Sequence, residues 1–97
     1  MSGILHIQDI KADEIRAIAR RHGVERVRVF GSLARGEAHP DSDVDLLIRL
    51  LPGHGFADFM SFCQEVEAAL GRRVDVVTEE GLSPYLRDRV LAEAIPL

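Results

Sequence analysis

The residues of this chain best suited to chemistry are Asp43 and Asp45, with the pair Gly31-Ser32 standing ten residues ahead of the first acid. Both acids open an apolar run, and residues two apart in a strand project from the same face, so the two carboxylates can reach one point. Left bare, they repel each other. Such an all-oxygen, acidic set suits a hard divalent cation such as Mg2+, which keeps waters and substrate phosphates in its shell and needs no full protein cage. Gly31, at the end of a strand, lets the backbone turn sharply and approach a ligand closely, and the N–H groups after it point outward as phosphate donors. Ser32 adds a hydroxyl to that cradle. Asp75 alternates with Val74 and Val76, so it supplies a third carboxylate on the same side if its strand neighbours the first. Acids at strand ends are usually no more than solvated surface. The ordered combination of strand, Gly-Ser, Asp-x-Asp, strand and a third in-phase acid is far more specific than any one part.

The elements that must hold these groups follow from periodicity. Asp9 to His22 carries Ile15, Ile18 and Ala19 on one face at helical spacing, with Asp9 as N-cap and Gly23 as the stop. Arg26 to Phe30 alternates charged and apolar residues and reads as a strand with Val27 and Val29 toward the core. Val44 to Leu51 is the strongest strand, with Val44, Leu46, Ile48 and Leu50 on one face and Asp43, Asp45, Leu47 and Arg49 on the other; Pro52-Gly53 ends it. Phe56, Phe59, Met60, Cys63, Val66 and Leu70 recur every three or four residues ahead of Gly71, which predicts a second amphipathic helix. Its aromatic stripe, Phe56, Phe59 and Phe62, is expected in the core, and Cys63 is expected to be a packed thiol. Arg73 to Thr78 reads as a third strand. Ser83-Pro84 then offers an N-cap and a first-turn proline for a last helix carried by Leu86, Val90 and Leu91 and ended near Pro96. The order helix, strand, strand, helix, strand, helix describes an α/β domain, a small sheet covered by helices.

Composition narrows the function classes. Ninety-seven residues, 46% hydrophobic and 29% charged, suit one compact domain spanning residues 1–97 and exclude a disordered or fibrous chain. Twelve Lys and Arg against 16 Asp and Glu give a net charge of −4, without the basic excess of a protein that grips nucleic acid through its phosphates. A single cysteine forms no internal disulfide, Met1 to Gln8 lacks the basic-then-apolar layout of a signal peptide, and no run approaches the ~18 apolar residues of a membrane span. A reducing, cytoplasmic setting without a membrane partner is therefore expected. His6, His22, His39 and His54 are scattered and lack the spacing of a zinc site.

Gly31, Ser32, Asp43 and Asp45 match without a gap the signature of the nucleotidyltransferase superfamily related to DNA polymerase β. Within it the chain resembles the minimal nucleotidyltransferases (MNT), the antitoxin half of HEPN–MNT toxin–antitoxin pairs. Supporting matches are Ala34-Arg35-Gly36, Ser42, Leu46-Leu47-Ile48 and Val74-Asp75-Val76-Val77-Thr78, and the resemblance runs from Ile4 to Leu97. Leu33 departs from it, standing where many relatives carry a basic or aromatic residue.

The resemblance implies the polymerase β-like α+β fold, a small mixed β-sheet flanked by helices. It implies that Asp43 and Asp45 bind two Mg2+ ions, that Asp75 completes the shell of the catalytic ion and takes the acceptor's proton, and that Gly31 and Ser32 hold the outer phosphates of ATP. Arg35 is either a further phosphate contact or an exposed loop arginine. The implied reaction is transfer of AMP from ATP to a tyrosine of a HEPN-type ribonuclease toxin, with pyrophosphate leaving. The length leaves no acceptor-binding segment, so the acceptor is expected from a partner, in a hetero-oligomer with the toxin or a homo-oligomer. Tyr85, Leu86, Ile95 and Leu97 are the expected docking surface. Two other readings stand beside this one: an antitoxin that caps its toxin and whose acids are dispensable, and a nucleotidyltransferase acting on a small molecule or RNA.

Overall fold

The computed structural model describes residues 3–97; the first two residues of the N-terminal segment read as lacking a leader layout lie outside it. Helix α1 (Ala12–Arg21) buries Ile15, Ile18 and Ala19, the face that the spacing predicts. Its start differs from the expected Asp9 cap. The cap position is Lys11, at φ 55, while Asp9 closes a separate 3-10 turn (Ile7–Asp9), where its carboxylate accepts the His6 N–H at 3.0 Å. The acid performs its capping chemistry one element earlier than expected.

Strand β1 (Val24–Phe30) begins two residues before the alternation shows it. Its pairing with β2 slips between Glu25 and Arg28, and Arg26 takes φ 53 there. A bulge of this kind interrupts the period of two and hides the first residues of the strand from a pattern reading. A short helix, α2 (Gly31–Ala34), follows at once, and then β2 (Val44–Leu50). Leu47, expected on the polar face with the acids, is fully buried, so the middle of β2 is covered on both sides.

Helix α3 (Phe56–Leu70) ends at Gly71 and buries Phe62 and Val66. The aromatic stripe is core only in part. Phe59 packs partly against the core, whereas Phe56, in the first turn, is 76% exposed and rests on Phe59 with ring centroids 6.4 Å apart. Cys63 is half-buried where a fully packed thiol was expected, and its burial pushes the thiol pKa up, with Glu67 adding to the effect. Strand β3 (Val74–Thr78) precedes α4 (Pro84–Glu93), which opens as expected with Pro84 in its first turn and the Ser83 Oγ accepting the Tyr85 N–H at 3.3 Å. Of its expected apolar face only Val90 is buried, Leu86 being 49% exposed. The helix stops at Glu93, short of Pro96, because Ile95–Pro96 form a further strand, β4, paired antiparallel with β1. A two-residue edge strand containing proline has no period to reveal it.

The sheet order is β3-β2-β1-β4, with β2 and β3 parallel and the other pairs antiparallel, a mixed sheet as expected. Helices α1 and α3 pack on each other and against β1 and β3, enclosing a core of Ile15, Val29, Leu46, Ile48, Phe62 and Val66. Among the described residues no helix is long and apolar enough to cross a membrane.

This division of the aromatic stripe predicts unequal mutational costs. Phe62→Ala should destabilise the domain by about 3–5 kcal/mol through the cavity it leaves, and Phe56→Ala by no more than about 0.5 kcal/mol, both measured by urea unfolding. Equal losses for the two would contradict the packing described.

Candidate active site

Strand direction brings the chemical residues together. β1 runs antiparallel to β2, so the end of β1 lies beside the start of β2, with Phe30 opposite Asp45. β3 runs parallel to β2, which puts Asp75 directly opposite Asp45. Opposed residues on neighbouring strands share a face, so Gly31, Asp45 and Asp75 meet at one end of the sheet. Asp43 precedes β2 by one residue and stands at the same end, 3.9 Å from the Arg73 guanidinium. The neighbouring strands that a three-acid site required are therefore present.

Gly31 has two reasons to be glycine. Its φ is 71, and a Cβ there would stand 2.2 Å from Oδ2 of Asp45, far inside contact distance. The backbone and the carboxylate approach as closely as they do because no side chain separates them. Ser32 follows on the same turn of α2 and is half-buried, and the next residue, Leu33, is buried. Leu33, the departure from the family pattern, serves as core.

Burial, followed by the charges of Asp75 and Asp43, pushes the Asp45 carboxyl up from 3.8 to about 6, with Arg35 opposing the shift. Among the described residues no group of three His, Cys, Asp or Glu stands as a formed metal cage. The donor set nevertheless fits a hard divalent cation. Its ligands are all carboxylate oxygens, and the repulsion that raises Asp45 is the kind that a bound cation relieves.

Three polar residues that the sequence reading did not single out shape this end of the sheet. Arg72 donates to the carbonyls of Pro40 at 2.7 Å and Ser42 at 3.4 Å, tying the loop ahead of Asp43 to the start of β3. Glu93, the last residue of α4, accepts the Gly31 N–H at 2.6 Å and faces Arg35 at 3.2 Å. Glu37 accepts from Nε of Arg35 at 3.1 Å, and these two acids hold the arginine firmly in its charged form, Glu37 first. Arg35 is exposed, as one of its two readings expects, and its guanidinium bridges two acids at the rim. Arginine and glutamate in a loop or at a helix end carry no spacing that would have flagged these contacts.

Of the four expected docking residues, Tyr85 is 94% exposed and Leu86 and Ile95 are partly exposed, whereas Leu97 packs against the core beside Val27.

The raised Asp45 carboxyl has a consequence for stability. An acid whose folded pKa lies above its unfolded one contributes stability that is fully present below about pH 4 and lost as pH rises through about 6. Asp45→Asn should therefore raise Tm at pH 7 in chelator by a few degrees, on the order of 1 kcal/mol after allowance for solvent screening. The advantage should disappear near pH 4. Thermal scans at both pH values check this, and an asparagine variant no more stable at pH 7 than the wild type would count against it.

The nucleotidyltransferase domain family matches residues 12–97. The chain is 36% identical over 89 residues to the protein adenylyltransferase MntA of Thermococcus cleftensis, covering 92% of this chain and 90% of that protein. A solved candidate minimal nucleotidyltransferase superposes with a TM-score of 0.84 at 46% identity, covering 96% of this chain and 97% of that one. The fold alone is shared with a chain of the complex between a tri-AMPylated Shewanella oneidensis HEPN toxin and an MNT antitoxin, at TM-score 0.68 and 18% identity over 93% of this chain and 71% of that one. With its Gly-Ser turn and three acids at one sheet end, and with nearly its whole length inside these matches, the chain belongs to the nucleotidyltransferase domain family.

Proposed function

We propose that this protein transfers AMP from ATP to a tyrosine hydroxyl of a HEPN-type toxin and thereby acts as its antitoxin. The observation that carries this reading is the convergence of the Gly31-Ser32 turn with Asp43, Asp45 and Asp75 at one end of the sheet. A turn that presents backbone N–H groups beside a set of carboxylates is built for a ligand that is itself anionic and arrives with cations. A nucleoside triphosphate meets that description.

The family implies two Mg2+ ions at Asp43 and Asp45, which when bound neutralise the triphosphate and lower the pKa of the acceptor hydroxyl. The chain's own residues do the rest. Gly31 and Ser32 hold the outer phosphates through backbone N–H and Oγ, with Arg35 within reach of the same group. Asp75, exposed at the start of β3, takes the proton of the attacking hydroxyl. The new bond joins that oxygen to the α-phosphorus, and the bond from the α-phosphorus to pyrophosphate breaks. Positioning and charge neutralisation supply most of the acceleration in such transfers, so no covalent protein intermediate is needed.

The relatives support the choice of acceptor. One carries the name protein adenylyltransferase, and a fold relative is described in complex with an AMPylated HEPN toxin. In this chain α4 offers a partner the exposed Tyr85 and Leu86. AMP on a tyrosine near an RNA site adds bulk and negative charge, and both oppose RNA binding.

Asp43→Ala or Asp45→Ala should lower Mg2+-dependent transfer of radiolabelled AMP to the co-purified toxin by about two to three orders of magnitude or more, while circular dichroism shows the fold intact. Full activity in either variant would refute the assignment. Asp75→Asn should lose turnover more than ATP binding. Protection of cells by the double Asp43, Asp45 variant would instead identify capping as the antitoxin mechanism.

A further inference from the structure

A fourth acid reaches the site from an element outside the signature. Glu93 closes α4, its side chain 21% exposed. Oε2 accepts the Gly31 N–H at 2.6 Å, and both carboxylate oxygens face Nη1 of Arg35, at 3.2 and 3.3 Å. These donors, a backbone N–H on the glycine turn and a guanidinium beside it, are those that a phosphate oxygen would use. Carboxylate and phosphate compete for the same charge-assisted hydrogen bonds.

The position is an unfavourable one for a carboxylate on other grounds. Glu93 adds its negative charge to a group of acids that already repel one another around Asp45. Its compensation comes from Gly31 and Arg35. Arg35 does not depend on Glu93 for its placement, because Nε donates to Glu37 at 3.1 Å. If Glu93 withdraws, the guanidinium stays tethered on one side and presents Nη1 to whatever takes the vacated place.

We propose that Glu93 occupies the phosphate cradle when no nucleotide is bound, and that the triphosphate enters by displacing it, so that Glu93 sets the affinity of the site. This rests on the reading that the Gly31-Ser32 turn takes a triphosphate. A single small anion that replaced Glu93 would exchange one negative group for another and face the same acids. A triphosphate arriving with its cations brings more oxygens than the carboxylate has and neutralises the acids as it binds. Once pyrophosphate has left with the cations, Glu93 returns to its donors and closes the cradle.

Calorimetric titration of the full chain with a non-hydrolysable ATP analogue and Mg2+ tests this in two variants. Glu93→Gln keeps the shape and removes the charge, and Glu93→Asp keeps the charge and shortens the reach. Both should bind the analogue about fivefold tighter or more, while their nucleotide-free Tm falls because the contact between α4 and Gly31 loses its charge in the first variant and its reach in the second. A merely structural glutamate would lower both quantities, so binding that is equal or weaker in both variants overturns the proposal. A wild type that binds the analogue normally, with variants no tighter, refutes the role of Glu93 alone. A wild type that does not bind it refutes the triphosphate reading itself.

Discussion

Asp45 and Asp75 stand opposite each other on parallel strands, and the repulsion between them is the constraint around which the rest of this molecule is arranged. Nothing local favours that pairing. It persists because the other face of the same strands is committed to the core: Val44, Leu46 and Ile48 are fully buried together with Phe62 and Val66 of α3. A one-residue slip of β2 would turn every one of these side chains to the wrong side, and the apolar burial at stake exceeds the electrostatic penalty of holding the acids together. Arg72 adds a polar tie across the two strand starts. The core thereby fixes the register, and the register fixes the acids.

The same constraint accounts for Gly31. A carboxylate pressed into the space of a missing Cβ is desolvated, and desolvation is the leading cause of the raised Asp45 pKa. The close approach that sets the Gly31 turn beside the acids is therefore also what makes the ionised form of one of those acids costly to hold until positive charge arrives. Fold stability and readiness for ligand are opposed at this point, as they commonly are at functional sites.

How much of this could be read from the sequence depended on whether the signal was local. β2 and α3 were legible because long periodic runs report which face of an element is turned to the core, and the signature residues were legible because their types are fixed by the chemistry within a short stretch. The pairing of β2 with β3 was not determined by the pattern alone, which left strand adjacency open. The start of β1 was hidden by the irregularity at Arg26, and β4 by its brevity. Phe56 matched the helical stripe, yet the period cannot say where along a helix the sheet beneath it ends. Glu93 and Arg72 were invisible for a different reason: each acts through one tertiary contact, and a single glutamate or arginine has no period or spacing.

Helix α4 is the element in which these strands of argument meet. It buries one residue, Val90, and is otherwise attached by polar contacts: Arg87 to the Glu79 carbonyl, and Glu93 to the Gly31 N–H and Arg35. Elements held by few buried apolar contacts are those that open at low free energy. The carboxylate that meets the Gly31 N–H is thus mounted on a helix that buries a single residue and that also presents Tyr85 to the outside. Displacement of Glu93, as proposed, would free that end of the helix from the glycine turn, whereas α1 and α3 are committed to the core. The contact that ties α4 to the glycine turn and the exposed face of the same helix therefore stand on one lightly buried element, while the sheet that holds the acids is fixed by the core.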